Sequence, residues 1–439
     1  MSDFRIEHLP IADLKPNPRN ARRHPTKQLH QIAASIREFG FNSIVVIDED
    51  GVILVGHGRV EAAKLAGLTT LPVLRITHLT AAQKVGFSLA DNKIALNSDW
   101  DMEQLTLLWR ELSAQDLNFD LEVTGFETAE IDLLIDGPTV STKADRSDIV
   151  PEPQNEAVSR LGDLWHLGEH RLICADACDK AAYAELLNGE QARMVFTDPP
   201  YNVKIASVQG RGKIKHREFM QASGEMSRRR YTRFLVDSFS LAAKHSINGS
   251  IHFVCIDWRH NRELQDAGEE VYAELKNLIV WVKTNGGMGT FYRSQHELIF
   301  VFKNGQADHV NNFELGQHGR NRTNVWSYAG VNTFRAGRLD DLTVHPTVKP
   351  VALVVDAIRD CSRRGDIVLD PFMGSGTTIL ASERVGRCGY GLELDPIYID
   401  AAIRRWQIFT KRDAVLAGTH STFDEVAAQR SSNKREKAK

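Results

Sequence analysis

The sequence has few of the features that would assign it to a special compartment or class. Its five cysteines (Cys174, Cys178, Cys255, Cys361 and Cys388) form an odd set with no CxxC pair. That argues against a disulfide framework and a cysteine-held zinc site, so reduced thiols and no metal are expected. No apolar run reaches the length of a membrane span, and the opening MSDFRIEHLP has neither the basic nor the apolar region of a secretory signal. The cytoplasm is the expected compartment. Charge of one sign is missing too: 54 Lys and Arg against 57 Asp and Glu give a formal net charge of −3, so bulk electrostatics nominates no partner. No internal repeat or heptad array is evident.

What is present points to more than one folded unit. A chain of 439 residues with 42% hydrophobic content exceeds the size at which a single core stops growing. Residues 1–135 mix strand-like and helical stretches. Residues 136–160, with DGPTVSTKADRSDIVPEPQNEA, carry Pro, Ser and charge without apolar periodicity and read as a linker. From 161 to 417, apolar strands alternate with amphipathic helical segments, as in a doubly wound α/β sheet with helices on both faces. Seven strands are expected: 171–175, 193–197, 249–255, 277–282, 297–302, 366–370 and 388–393. Residues 418–439 form a polar tail whose end, SSNKREKAK, reads as disordered.

Two constellations in the second domain carry chemistry. In DIVLDPFMGSGTTILASERVGRCGYGLELDP, Asp370 ends a strand, Gly374 and Gly376 permit a tight turn, and Thr377 opens a helix. Glu393 ends the next strand, where a carboxylate can accept hydrogen bonds from both ribose hydroxyls. No Lys follows the glycines, so the loop is not a P-loop, and a nucleoside without phosphate fits it better. In MVFTDPPY, a buried strand delivers Asp198, Pro199, Pro200 and Tyr201 to the same sheet edge. The two prolines fix the backbone, so Asp198 and the Pro199 carbonyl can accept both hydrogens of an aromatic amine. The nitrogen lone pair is then directed out of the ring plane toward an incoming methyl group, and Tyr201 offers a face for the base.

With both motifs in place, residues 161–417 resemble the β-group DNA amino-methyltransferases, in which DPPY precedes FxGxG. The resemblance implies a Rossmann-like seven-stranded methyltransferase sheet and S-adenosylmethionine as cofactor. It makes Asp198, Pro199, Pro200 and Tyr201 catalytic and gives Phe372, Gly374, Gly376 and Glu393 to the cofactor. HPTVKP matches the segment that closes over the cofactor's methionine end, which brings in His345, Thr347 and Lys349. Asp176 falls where the family contacts the adenine, and Thr377 and Asp370 complete the cofactor set. DPPY is common in adenine enzymes, whereas SPPY marks many N4-cytosine enzymes. Site-specific N6-adenine methylation of duplex DNA is therefore the expectation, and N4-cytosine the first alternative. A partition or regulatory protein with an inactive methyltransferase half is a second, opposed by the intact motifs, and methylation of RNA or a small molecule a third.

DNA contacts are expected from two stretches. The basic run after Tyr201, with Lys213, Lys215, Arg228, Arg229 and Arg230, suits phosphates. The interval 306–341, with Arg320 and Arg322 among Asn, Gln and aromatics, suits base edges and target recognition. The first 95 residues resemble the ParB/sulfiredoxin-like α+β fold through GVILVGHGRVEAAKLAG. There Gly56, His57, Gly58 and Arg59 at a helix N-terminus make an anion site for nucleotide or DNA. His57 stands where ParB proteins carry the Glu of GERR, which argues against nucleotide hydrolysis. A homodimer stays open. So does the biological setting, be it restriction-modification, regulation, or phage or plasmid protection.

Overall fold

The computed structural model describes residues 5–113, 115, 117–137, 146–148, 156–203, 220–284, 286, 291–313, 322–330 and 348–437. Two compact units are present, Met1–Gly137 and Pro138–Lys439.

In the first unit a four-stranded sheet, ordered β1-β4-β2-β3, is built from β1 (Ile6–Pro10), β2 (Val45–Ile47), β3 (Ile53–Val55) and β4 (Thr70–Arg75). Two helices belong with it, α1 (Thr26–Phe39) and α2 (His57–Leu65). The inward residues Val45, Ile47, Ile53, Leu71 and Val73 meet Val60 and Ala63 of α2 in one core. After α3 (Ala81–Ile94) come α4 (Met102–Ser113) and α5 (Thr128–Asp136), which form a separate small core from Leu105, Trp109 and Ile131.

The second unit contains β5 (Leu164–Leu167), β6 (His170–Cys174), α6 (Lys180–Leu187), β7 (Ala192–Thr197), α7 (Arg228–Lys244) and β8 (Ser246–Ile256). These are followed by α8 (Asn261–Val271), β9 (Glu274–Val282), β10 (His296–Lys303), β11 (Val325–Ser327), α9 (Val351–Cys361) and β12 (Ile367–Asp370). The last are α10 (Thr377–Arg384), β13 (Cys388–Glu393), α11 (Pro396–Thr410), β14 (Val415–Leu416) and α12 (Phe423–Lys437). Among the described residues the sheet has ten strands, ordered β11-β9-β10-β8-β7-β12-β13-β6-β5-β14. The seven expected strands lie together in its centre, and the shorter β5, β11 and β14 extend its edges.

Strand periodicity explains the layers, since alternate side chains face opposite sides of a sheet. Met194 and Phe196 of β7 enter one core with Val354 of α9, Ile379 of α10 and Ile403 of α11. Val195 enters another with Leu186 of α6 and Leu241 of α7. Strands buried on both sides read as unbroken apolar runs for that reason. β7 is parallel to both β8 and β12, yet its crossover through α7 leads one way and that of β12 through α10 leads the other. The two strands flank the switch point where ligands of open α/β sheets bind.

Two expectations are corrected. The polar tail is ordered as α12 as far as Lys437, because Phe423 is buried against Trp165 with ring centroids 5.3 Å apart. Arg430 also pairs with Asp163 at 2.5 Å. The stretch read as linker contains a fixed turn at Arg146–Asp148: the Ser147 carbonyl accepts from Arg405 Nε at 3.0 Å, and Asp148 accepts from the Val351 amide at 2.9 Å.

Candidate active site

The loop after β12 turns on Gly374 and Gly376, with φ of 53° and 83°. A Cβ at Gly376 would lie 2.8 Å from Cβ of Ala402 on α11, so the close approach of that helix also demands glycine. Glu393, at the end of β13, accepts from the amides of Gly374 and Asp395, both at 2.8 Å. Burial raises its carboxyl to about 7. β6 is the neighbour of β13, which brings Asp176, two residues past its end, to the same edge. There Asp176 accepts from the Cys178 amide at 2.8 Å and Gln221 Nε2 at 2.6 Å. Phe372 lies 5.8 Å, ring to ring, from Phe234. Two carboxylates beside a turn without a lysine suit a ribose diol and an aromatic amine, and they repel a phosphate.

Asp370 and Thr377, expected to bind cofactor, turn inward instead. Asp370 accepts from Thr197 Oγ1 at 2.9 Å and the Phe372 amide at 3.0 Å on one oxygen, and from Thr378 Oγ1 at 2.6 Å on the other. Thr377 is buried and its hydroxyl accepts from Arg405 Nη1 at 3.0 Å. Both brace the loop from behind.

Across the switch point, Asp198 to Tyr201 follow β7 directly. Tyr201 donates to Asp198 Oδ1 at 2.5 Å, and Tyr231 of α7 donates to the Pro200 carbonyl at 2.9 Å. Lys349, which the resemblance gives to the cofactor, instead places Nζ 2.5 Å from Asp198 Oδ2 and 3.1 Å from Glu297 Oε2. The far oxygen of Glu297 pairs with Lys283. Burial and the Glu297 charge raise the Asp198 carboxyl above its usual range, against the opposing pull of Lys349. Sequence reasoning missed Glu297 and Lys283. Their one signal is a pair of charges at the ends of apolar strands.

The basic run is only partly described. Lys213, Lys215, Arg320, His345 and Thr347 lie outside the described residues. Arg228, Arg229 and Arg230 open α7 rather than a loop and are exposed. Arg228 reaches Glu263 at 3.3 Å. Arg322 does not present itself to a base: it pairs with Asp356 at 3.1 Å and Asp360 at 3.0 Å on α9, and its guanidinium lies 4.3 Å from the Trp326 ring centroid. In the first unit Gly56 caps α2. His57 Nε2 accepts from the Asn17 amide at 3.2 Å, and Arg59 donates to the Ile44 carbonyl at 3.4 Å. Burial, with His24 adding to it, lowers the His57 pKa and favours the neutral ring.

Among the described residues no helix is long and apolar enough to cross a membrane. Three family models match the chain: "ParB N-terminal domain" over residues 1–93, "ParB-methyltransferase HTH domain" over 103–161, and "DNA methylase", of the N6/N4 type, over 192–404. The type II methyltransferase M.HpaI of Haemophilus parainfluenzae is 28% identical over 254 residues, 54% of this chain and 74% of that protein. The ParB-like nuclease domain-containing protein YnaK of Escherichia coli (strain K12) is 42% identical over 81 residues, 18% of this chain and 93% of that one. The crystal structure of M1.HpyAVI is 22% identical with a TM-score of 0.38, covering 53% of this chain and 96% of its own. Residues 192–404 thus form a DNA methylase domain of the N6/N4 type, whose cofactor is S-adenosylmethionine, and ParB N-terminal and ParB-methyltransferase helix-turn-helix domains precede it in the chain.

Proposed function

We propose that this enzyme methylates N6 of adenine at a specific site in duplex DNA. The observation that carries the reading is the meeting of Asp198-Pro-Pro-Tyr and the Glu393 loop across one switch point, tied through Thr197 and Asp370. Asp198, where N4-cytosine enzymes often have Ser, favours adenine.

S-adenosylmethionine supplies an electrophilic methyl group on a sulfonium centre. Glu393 would hold its ribose, Asp176 its adenine, and Phe372 and Gly374 the surface between. Asp198 and the Pro199 carbonyl would accept the two hydrogens of the target amine, and Tyr201 would stack on the base once it leaves the duplex. Rate comes from positioning, with no covalent enzyme intermediate required. Arg229 and Arg230 sit next to Tyr231, which holds Pro200, so phosphates bound there would place DNA over the site. Cations in a helix's first turn oppose its dipole, and a phosphate at that end relieves the conflict. The turn at Gly56 to Arg59 would take a nucleotide or DNA phosphate in the same way.

DNA from a host expressing the enzyme, digested to nucleosides and also sequenced with modified-base detection, tests the proposal. N6-methyladenine at one recurring sequence is expected. N4-methylcytosine would overturn the choice of base, and unmodified DNA the activity.

A further inference from the structure

Asp198 stands at the end of a row of alternating charges. β10 is antiparallel to β8 and β9, so its first residues arrive at the edge where β7 and β8 finish. That brings Glu297, the second residue of β10, toward Asp198. Lys283 follows β9 at the same edge, and Lys349 comes from the segment before α9. The order is Lys283, Glu297, Lys349, Asp198, with formal charges that cancel. Side-chain exposure is 5% for Lys349, 14% for Glu297 and 22% for Asp198, so water screens these charges weakly.

We propose that Glu297 and Lys349 are positioning residues for methyl transfer: together they hold the Asp198 carboxylate in one orientation, and Lys349 keeps it ionised. The proposal rests on the reading of Asp198 as acceptor of the amine hydrogens.

A carboxylate accepts from two directions only while ionised and rotationally fixed. Tyr201 and Lys349 each hold one Asp198 oxygen, which sets its plane and leaves the remaining lone pairs for substrate. Lys349 is aimed in turn by Glu297, and Glu297 by Lys283. The other groups facing Asp198 supply no positive charge. Asp370 of β12 is a further carboxyl. Burial holds the Cys255 thiol of β8 and the Tyr231 hydroxyl of α7 well above their usual ranges, so both are neutral. Lys349 is therefore the one cation paired with Asp198 among the described residues, and burial does not discharge it, because two carboxylates raise its pKa. Glu297 stays ionised: burial favours the neutral acid, but Lys349 and Lys283 outweigh it.

The signs follow. Lys349→Met leaves one negative charge unbalanced, since Lys283 still pairs with Glu297, so Asp198 protonates at higher pH. Glu297→Gln removes a negative neighbour, so Asp198 protonates at lower pH. The test is single-turnover methylation of a duplex by the full-length enzyme at saturating cofactor, followed from pH 5 to 9. The acidic limb should move up in Lys349→Met, with at least a ten-fold loss near neutrality that is partly recovered at high pH, and down in Glu297→Gln. Two results would overturn the proposal: limbs that stay in place in both variants, or a Lys349→Met enzyme that loses cofactor affinity ten-fold while its saturated rate and limb are unchanged. Asp198→Ala, which has no side-chain acceptor, separates the underlying reading, because activity retained there would remove Asp198 as acceptor whatever the two variants do. Glu297→Gln is isosteric, and a thermal unfolding midpoint like that of the parent confirms that its limb comes from a folded enzyme.

Discussion

Thr197 and Asp370, the last residues of two adjacent parallel strands, share a hydrogen bond of 2.9 Å, and it joins the strand that leads into Asp198 to the strand that leads into the glycine loop. Thr197→Val keeps the shape and removes the donor. A buried carboxylate short of a partner costs about 1–3 kcal/mol, to be read from the denaturant midpoint, and methyl transfer should fall more than duplex affinity does. Unchanged stability and rate would show that the tie is dispensable.

Glu393 should report cofactor binding through protons. Its carboxyl is raised to about 7 before binding, and ribose hydroxyls donate best to the ionised form, so binding lowers its pKa. Affinity should rise with pH up to about 7 and level off above, with proton release near pH 6 that makes the calorimetric enthalpy depend on the buffer. Glu393→Gln should abolish that dependence, and Glu393→Ala should weaken binding by about 2 kcal/mol or more. A buffer-independent enthalpy at pH 6 in the parent enzyme would remove Glu393 from the ribose.

Arg229 and Arg230 should act on phosphates without reading sequence. Neutralising both should weaken binding to cognate and scrambled duplexes alike and flatten the slope of log affinity against log salt by about 0.9 for each phosphate no longer neutralised. The methylated sequence should not change. Arg228→Gln should do less, since Arg228 already pairs with Glu263. A changed recognition site with an intact salt slope would contradict this division.

Arg322→Ala should unfold the protein more readily rather than alter its target. It leaves Asp356 and Asp360 without their shared cation, and breaking a buried pair costs about 3–5 kcal/mol. Chemical denaturation measures the cost, and modified-base sequencing at permissive temperature should return the parent's site. A relaxed site at full stability would restore Arg322 to recognition.

Much of the architecture was legible in the chain. The seven expected strands, several of them unbroken apolar runs, became seven adjacent strands, because a strand covered on both faces has no polar side to show. The DPPY and FMGSG turns carried their own backbone requirements in proline and glycine, so they could be read where they stand. α12 was not legible: SSNKREKAK has no apolar face, and the helix is anchored instead by Phe423, Val426 and Arg430, which lie upstream of that segment.

Sequence alone determined the local motifs: a carboxylate between a buried strand and two prolines, another after a glycine turn, and the family these imply. Tertiary structure decided which charges oppose which. Nothing in the spacing of Asp198, Glu297 and Lys349 tells that an antiparallel strand returns Glu297 to the sheet edge where Asp198 stands, or that Lys349 turns to both carboxylates. Nor does it tell that Arg322 is spent on α9 and Asp370 on two threonines. Ion pairs and buried hydrogen bonds act over a few ångströms, between residues that here stand 8 to 173 positions apart in the chain, and the folded sheet sets those distances.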